Sequence, residues 1–123
     1  MLNDANSEIG PLAGVLVIDA SDSRGEMCGR MLADLGASVI KIEPHDGVNT
    51  RSLRPIEVSN GESLYWAHVG AGKQSLSVNM NSKDGRSQLY KLVSGADIFI
   101  ESSPIGQMSE PVSYTHLRAH ETD

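Results

Sequence analysis

The sequence predicts an α/β fold in which helices cover a parallel sheet, and three observations support it. Short apolar runs alternate with segments of helical period along the chain. Residues 32–44 combine a helix end, a turn, an apolar strand and a carboxylate followed by proline, which is the helix-to-second-strand half of a βαβ unit. Only five aromatic residues occur, so the core must be aliphatic, as suits a parallel sheet between helices.

A strand and a helix open this fold. Residues 15–18 are an apolar run that ends on Asp19, which predicts the first strand. Residues 25–35 repeat apolar side chains at the helical period. The side chains expected on one buried face of this helix are Met27, Met31, Leu32 and Leu35. Cys28 lies on the same helix and is expected to be a packing residue.

The second strand is predicted over residues 39–42, between Gly36 and Pro44. Gly36 suits the position just after a helix, where a left-handed residue ends it, and Pro44 cannot continue a central strand. Residues 45–62 are polar and contain Asp-Gly and Asn-Gly pairs. They predict a long loop, of the kind that usually carries function.

Two more helices and two more strands follow. Ser63 is predicted to cap a short helix that ends at residue 67 or 68, and residues 75–80 form the third strand. Ser82 opens the next helix, whose apolar stripe is Leu89, Leu92 and Val93. Residues 97–100 form the fourth strand.

Composition narrows the classes of function. The formal net charge of −6 argues against nucleic acid or an anionic membrane as the main partner. The longest apolar runs are far shorter than the roughly 20 residues that span a bilayer. A single cysteine cannot form an internal disulfide, so the reducing cytoplasm is the expected location.

The two ends of the chain are expected to lie outside the fold. Residues 1–10 form a polar leader, and residues 112–123 read as the translation of a transposase-type sequencing adapter. His116 and His120 have the spacing of a metal pair, but no metal is predicted because they fall in this segment. We therefore expect residues 11–111 to be the incomplete N-terminal portion of a larger domain.

Two phosphate-binding motifs fit poorly. A dinucleotide site needs a G-x-G-x-x-G loop after the first strand, whereas acidic residues 19 and 22 lie there and only Gly25 and Gly29 follow. Residues 70–73 hint at a Walker loop, but Gln74 stands where Ser or Thr would bind Mg²⁺. Both NAD and nucleoside triphosphate binding are disfavoured.

Acidic side chains are predicted at the carboxyl ends of three strands, where open α/β sheets bind ligands. These residues are Asp19, Glu43 and Glu101. A catalytic pair is conceivable, and capping of loop amides is favoured over it. Arg51 and Arg54 either meet anionic ligand groups or are solvated, with neither alternative preferred.

The ordered motifs together resemble family III CoA-transferases, the group of formyl-CoA transferase, carnitine CoA-transferase and α-methylacyl-CoA racemase. The similar blocks are residues 11–19, 28–44, 63–65, 73–80, 82–86 and 96–101. The resemblance implies a Rossmann-like CoA-binding domain in an interlocked homodimer. It also implies acyl-CoA and a carboxylic acid as substrates.

In that family an aspartate attacks the thioester and then carries CoA as an aspartyl-CoA thioester. The resemblance places this aspartate beyond the end of the chain, so no catalytic residue is assigned here. By position in the matching blocks, the implied CoA contacts are Lys73, Val78, Asn81, Ser102, Ser103 and Gly106.

Two alternatives to a CoA-transferase stay open, and departures from the family pattern bear on the second of them. The usual Ala-Gly-Pro loop reads Arg24-Gly25-Glu26, and two basic groups of the usual pattern are lost, one near residue 74 and one after residue 101. One alternative is an acyl-CoA racemase of the same family. The other is a non-catalytic Rossmann-like half of a duplicated protein.

Overall fold

The computed structural model describes residues 10–102. Four strands form one sheet in the order β3-β2-β1-β4, with every neighbouring pair parallel. The elements in chain order are β1 (Leu16–Ala20), α1 (Glu26–Asp34), β2 (Ser38–Glu43), a 3₁₀ helix (Asn49–Ser52), α2 (Leu64–Val69), β3 (Lys73–Ser77), α3 (Lys83–Ser94) and β4 (Ile98–Glu101). The predicted α/β class with a parallel sheet and flanking helices is confirmed.

Strand β1 lies at the centre of the sheet. Its Val17 is in register with Val39 of β2 on one side and with Ile98 of β4 on the other. The chain therefore runs from β1 outwards to β2 and β3, and returns to the opposite side of β1 for β4. Such a reversal of strand order creates a crevice at the carboxyl ends of the strands.

Alternate side chains of the strands build two separate cores. One core holds buried residues from the strands, from the segment after β3 and from α3, namely Ile18, Ile42, Val78, Leu89 and Val93. On the opposite face Val17, Ala37 and Val39 are buried, and Leu32 and Ala33 of α1 pack against them. In the part of the chain that the structure describes, a helix thus covers each face of the sheet, as aliphatic parallel sheets require.

The predicted helix ends are confirmed by their hydrogen bonds. Ser63 Oγ accepts from Trp66 N at 3.0 Å, and Ser82 Oγ accepts from Gly85 N at 2.9 Å. Gly36 follows α1 with a φ of +104°, the left-handed region that favours glycine.

The structure corrects the prediction for one face of α1. Met27 is 39% exposed, Met31 60% and Leu35 45%, so only Leu32 of the predicted apolar face packs against the sheet. Cys28 is exposed as well and is not a packing residue. Helical period identifies the helix but does not show which side faces the sheet.

Strand β3 lies two to three residues earlier than predicted, and its pattern explains the difference. It begins at Lys73 and, among the strands of residues 10–102, pairs with β2 alone, so it is an edge strand of this sheet. An edge strand tolerates polar side chains, and the apolar alternation on which the prediction was based continues past the last paired residue. In the described part of the chain, no helix is long and apolar enough to cross a membrane.

Candidate functional site

A depression of about 910 Å³ lies at the carboxyl ends of the strands. Its walls come from the loop after β1, the loop after β2, the segment after β3 and the end of β4. The residues that line it are Ala20, Ser21, Asp22, Arg24, Ile42, Glu43, Pro44, His45, Gly47, Val48, Asn49, Val78, Asn79, Met80, Asn81 and Ser102. This is where open α/β sheets bind their ligands.

The structure brings three of the predicted contact residues to this depression. Val78, Asn81 and Ser102 line it from two different elements. Val78 is buried, and its backbone N–H donates to Glu43 O at 2.8 Å, so the segment after β3 continues beside β2. Ser103 and Gly106 lie outside the described residues.

Lys73 is not among the residues that line the depression, so its assignment as a contact stays a prediction. Its Nζ lies 2.7 Å from Asp19 Oδ2, and the two side chains are 1% and 0% exposed. The same Nζ donates to Glu26 O at 2.7 Å. A phosphate could reach this ammonium only if the buried pair opened.

Lys73 and Asp19 belong to a larger buried network beneath α1. Lys41 Nζ lies 3.5 Å from Asp19 Oδ1 and 3.1 Å from Glu26 Oε2, and all three side chains are fully buried. Lys41 also donates to Ser21 O. Two lysines therefore face two carboxylates, so each buried charge has an opposite partner, as burial demands.

Gly29 allows α1 to approach this network closely. A Cβ built on Gly29 would lie 2.5 Å from Asp19 Oδ2 and 3.0 Å from Lys73 Nζ. A side chain at this position would collide with the ion pair. The helix is therefore held on the sheet by charges at one end and by aliphatic contacts at the other.

Glu43 holds the loop that forms one wall of the depression. Arg51 donates to it through two atoms, Nε to Oε1 at 2.6 Å and Nη2 to Oε2 at 2.7 Å. Val48 N donates to Oε1 at 3.2 Å, and the Ser75 hydroxyl donates to Oε2. These donors, Arg51 above all, lower the pKa of Glu43 from its ordinary 4.5 to about 2.

Further contacts fix the same loop. The Arg51 guanidinium lies over the Trp66 ring, 4.4 Å from its centroid, in the geometry of a cation–π contact. Thr50 is buried and donates its hydroxyl to Glu26. Gly47 has a φ of +86°, and a Cβ there would lie 2.9 Å from Arg51 Cδ. Sheet, α1 and α2 thus all anchor residues 47–51.

A second set of contacts joins the loop after β1 to the end of β4. Asp22 N donates to Ser102 Oγ at 2.8 Å, and Arg24 Nη2 donates to Ser102 O at 2.7 Å. Arg24 also pairs with Asp22 at 2.7 Å, and its hydrogen bonds hold the pKa of Asp22 well below the usual range. These contacts cross the sheet at the reversal of strand order.

The favoured role of the strand-end acids is confirmed for two of them. Asp19 Oδ1 accepts from Ser21 N at 3.0 Å, and Glu43 Oε1 accepts from Val48 N, so each caps a loop amide. Of the two loop arginines, Arg51 is held by Glu43. Its partner here is therefore a protein carboxylate.

Sequence reasoning assigned no role to two residues of the site. His45 lines the depression, and Trp66 supports Arg51 from α2. The signal for His45 was its position just after the second strand, beside Pro44. Among residues 10–102, no group of three or more His, Cys, Asp or Glu side chains is arranged to hold a metal ion.

Sequence comparison finds related enzymes. The profile of CoA-transferase family III matches residues 12–121. The chain is 38% identical over 99 residues to succinate–glutarate CoA-transferase of Agrobacterium fabrum, covering 75% of this chain and 25% of that enzyme. It is 34% identical over 121 residues to succinyl-CoA:mesaconate CoA-transferase of Haloarcula marismortui, covering 94% and 30%. The chain thus spans 25–30% of the length of these relatives.

Solved structures show the same fold. The chain superposes on a CaiB/BaiF family protein from Brucella suis with a TM-score of 0.80 and 30% identity, covering 89% of this chain and 30% of that one. A hypothetical protein from Mycobacterium tuberculosis gives 0.79 and 28%, covering 91% and 31%. The family match includes most of residues 112–123, so the adapter origin of that segment stays a prediction.

Proposed function

Because the chain belongs to CoA-transferase family III, we propose that it is the N-terminal, CoA-binding part of an enzyme that moves CoA between carboxylic acids. The observation that carries this proposal is the depression at the reversal of strand order, which three family-implied contact residues line. The CoA part of acyl-CoA binds in this depression. The acyl group and the acceptor acid react at residues outside the part of the chain described here.

The proposed reaction uses an aspartate supplied by the remainder of the enzyme. Its carboxylate attacks the thioester carbonyl, which releases the CoA thiolate and leaves a mixed anhydride. The thiolate attacks the aspartyl carbonyl, releases the first acid and forms an aspartyl-CoA thioester. The acceptor carboxylate then displaces the thiolate and forms a second mixed anhydride with the aspartate. The thiolate attacks the acceptor's carbonyl in this anhydride, so that a new acyl-CoA leaves and the aspartate is regenerated.

The task of the described residues in this scheme is to bind and retain CoA. The thiolate is released in two steps, and after each release it must stay bound until it attacks the anhydride that the step has formed. Asn81 offers both a donor and an acceptor at the depression, and Ser102 lies across the strand ends from it. We place the whole enzyme in the cytoplasm, in keeping with the single cysteine of this chain, and as an interlocked homodimer, in keeping with the family resemblance.

The substrates to test first come from the names of the relatives. Two relatives carry succinate or succinyl-CoA in their names, paired with glutarate and mesaconate. We therefore propose a dicarboxylic acid as donor or acceptor. Formation of glutaryl-CoA or mesaconyl-CoA from succinyl-CoA would be measured by liquid chromatography.

The decisive experiment uses the full-length enzyme from the gene that encodes this chain. Calorimetry should show CoA binding, and mass spectrometry of enzyme incubated with acyl-CoA should show a CoA adduct on one aspartate. Asn81→Ala should raise the Kd for CoA about 3- to 10-fold, the equivalent of one hydrogen bond. Asn60→Ala is the matched control, because Asn60 is exposed and outside the depression.

Other outcomes would assign a different function. CoA binding with exchange of the acyl α-proton, and no transfer, would identify a racemase. CoA binding without either reaction would identify a non-catalytic half. A full-length protein that binds no CoA would overturn the proposal itself.

A further inference from the structure

We propose that Arg51 is a positioning residue, which holds the wall of the depression formed by residues 44–49 in its CoA-binding shape before CoA arrives. The inference rests on the proposed function. Arg51 itself does not line the depression, whereas five residues of this wall do. Its effect on the ligand therefore passes through the loop.

The geometry of Arg51 is that of a rigid clamp. Two parallel hydrogen bonds join its guanidinium to Glu43, at 2.6 Å and 2.7 Å. The Glu43 side chain is 3% exposed, so it cannot turn away to solvent. Bidentate pairs of this kind are directional, and a lysine cannot reproduce them.

The clamp closes the loop on itself. Glu43 is the last residue of β2, and Arg51 lies eight residues later, inside the 3₁₀ helix. Val48 N donates to the same Oε1 that Arg51 Nε contacts. Glu43 therefore holds the loop at Val48, within the wall, as well as at Arg51, just after it. Residues 45–49 form no strand or α-helix that could hold the wall by itself.

The surroundings of Arg51 favour one conformation. Trp66 supports one face of the guanidinium, and Gly47 leaves room for the Arg51 stem where any Cβ would lie 2.9 Å from it. Because this wall is already ordered in the free enzyme, the free energy of CoA binding is not reduced by the entropic cost of ordering it. Loss of the clamp should thus weaken CoA binding and leave the chemical step unchanged.

The test compares Arg51→Gln with wild type in the full-length enzyme. We expect the KM for acyl-CoA to rise on the order of 10-fold, with kcat within about twofold, as expected when preorganisation alone is lost. Arg51→Lys keeps the positive charge but cannot make the two parallel hydrogen bonds to Glu43. Its affinity for acyl-CoA should therefore lie between those of Arg51→Gln and wild type. It also serves as the second variant if Arg51→Gln does not fold.

Arg30→Gln is the matched control. Arg30 also pairs with a carboxylate, Asp34, at 3.1 Å, but neither residue lines the depression. It should leave the KM for acyl-CoA at the wild-type value. An equal rise in KM for Arg30→Gln and Arg51→Gln would mean that general destabilisation, not the wall, causes the effect, and would overturn the inference.

Amide hydrogen exchange in the absence of CoA tests the clamp independently of the proposed function. In Arg51→Gln, exchange at residues 45–49 should be at least about 10-fold faster, while exchange in β1 stays unchanged, because only the wall opens. Unchanged exchange at these residues, or an unchanged KM in an enzyme that binds CoA, would overturn the inference. A wild-type enzyme that binds no CoA, with accelerated exchange in the variant, would instead reject the proposed function.

Discussion

Lys73 of the edge strand β3 and Asp19 of the central strand β1 form a buried ion pair, 2.7 Å from Nζ to Oδ2, across the intervening strand β2. Lys41 of β2 lies between them and contacts the other carboxylate oxygen at 3.5 Å. Three neighbouring strands are therefore tied by charge on the face that α1 covers. Burial makes this arrangement sensitive to the loss of any single partner.

Lys73→Met should lower the free energy of unfolding by about 3–5 kcal/mol, the usual cost of removing one partner of a buried pair. Asp19 and Glu26 would then share a single lysine, which leaves one buried negative charge uncompensated. Urea denaturation at pH 7 measures the change. Lys83→Met is the control, since Lys83 is exposed at the start of α3 and its loss should cost less than about 0.5 kcal/mol.

Gly29→Ala should destabilise the fold by about 1–3 kcal/mol, as overpacking does, although alanine favours helices. The new methyl group would lie 2.5 Å from Asp19 Oδ2 and force α1 away from the sheet. Thermal unfolding followed by circular dichroism measures the change. Gly95→Ala provides the comparison, because its Cβ would meet nothing nearer than 3.8 Å. Equal stability for the two variants would contradict the close approach of α1.

The sequence predicted most of the fold because local signals determine it. The caps at Ser63 and Ser82 and the turn at Gly36 act within a few residues, and each is found as predicted. The position of β3 was less predictable, since an edge strand has no strong apolar pattern.

The candidate site was only partly predictable, for a different reason. Val78, Asn81 and Ser102 were identified by resemblance and do lie at one depression. Lys73 and Asp19 are 54 residues apart, and nothing in the spacing of either shows that they pair. A polar side chain at a strand end predicts a ligand contact and a buried ion pair equally well, and only tertiary packing decides between them.

Glu43 predicts how stability depends on pH. Its pKa is lowered to about 2 in the folded protein from 4.5, chiefly by Arg51, so its contribution is complete above about pH 4.5 and is lost as the pH falls towards 2. Arg51→Gln should flatten the dependence of the urea midpoint in this window. Arg30→Gln, which does not contact Glu43, should keep the wild-type slope there. The same slope in all three proteins would contradict the assigned cause.

The two apolar residues Met31 and Leu32 of α1 should respond to substitution in opposite ways. Met31 is 60% exposed, so Met31→Gln should change the free energy of unfolding by less than about 0.5 kcal/mol, as surface substitutions do. Leu32 packs against the buried residues Val17, Ala37 and Val39. Leu32→Ala should therefore lower the free energy of unfolding by about 2 kcal/mol, the lower end for a core truncation.

A second measurement on the same two variants of the 123-residue chain tests the exposed face directly. Met27, Met31 and Leu35 form an apolar surface of the kind that promotes association. Light scattering at increasing concentration should therefore show less self-association for Met31→Gln than for wild type. Leu32→Ala should not reduce association, because Leu32 contributes to the core. A large loss of stability in Met31→Gln would mean that this face of α1 is buried after all, as helical period alone had predicted.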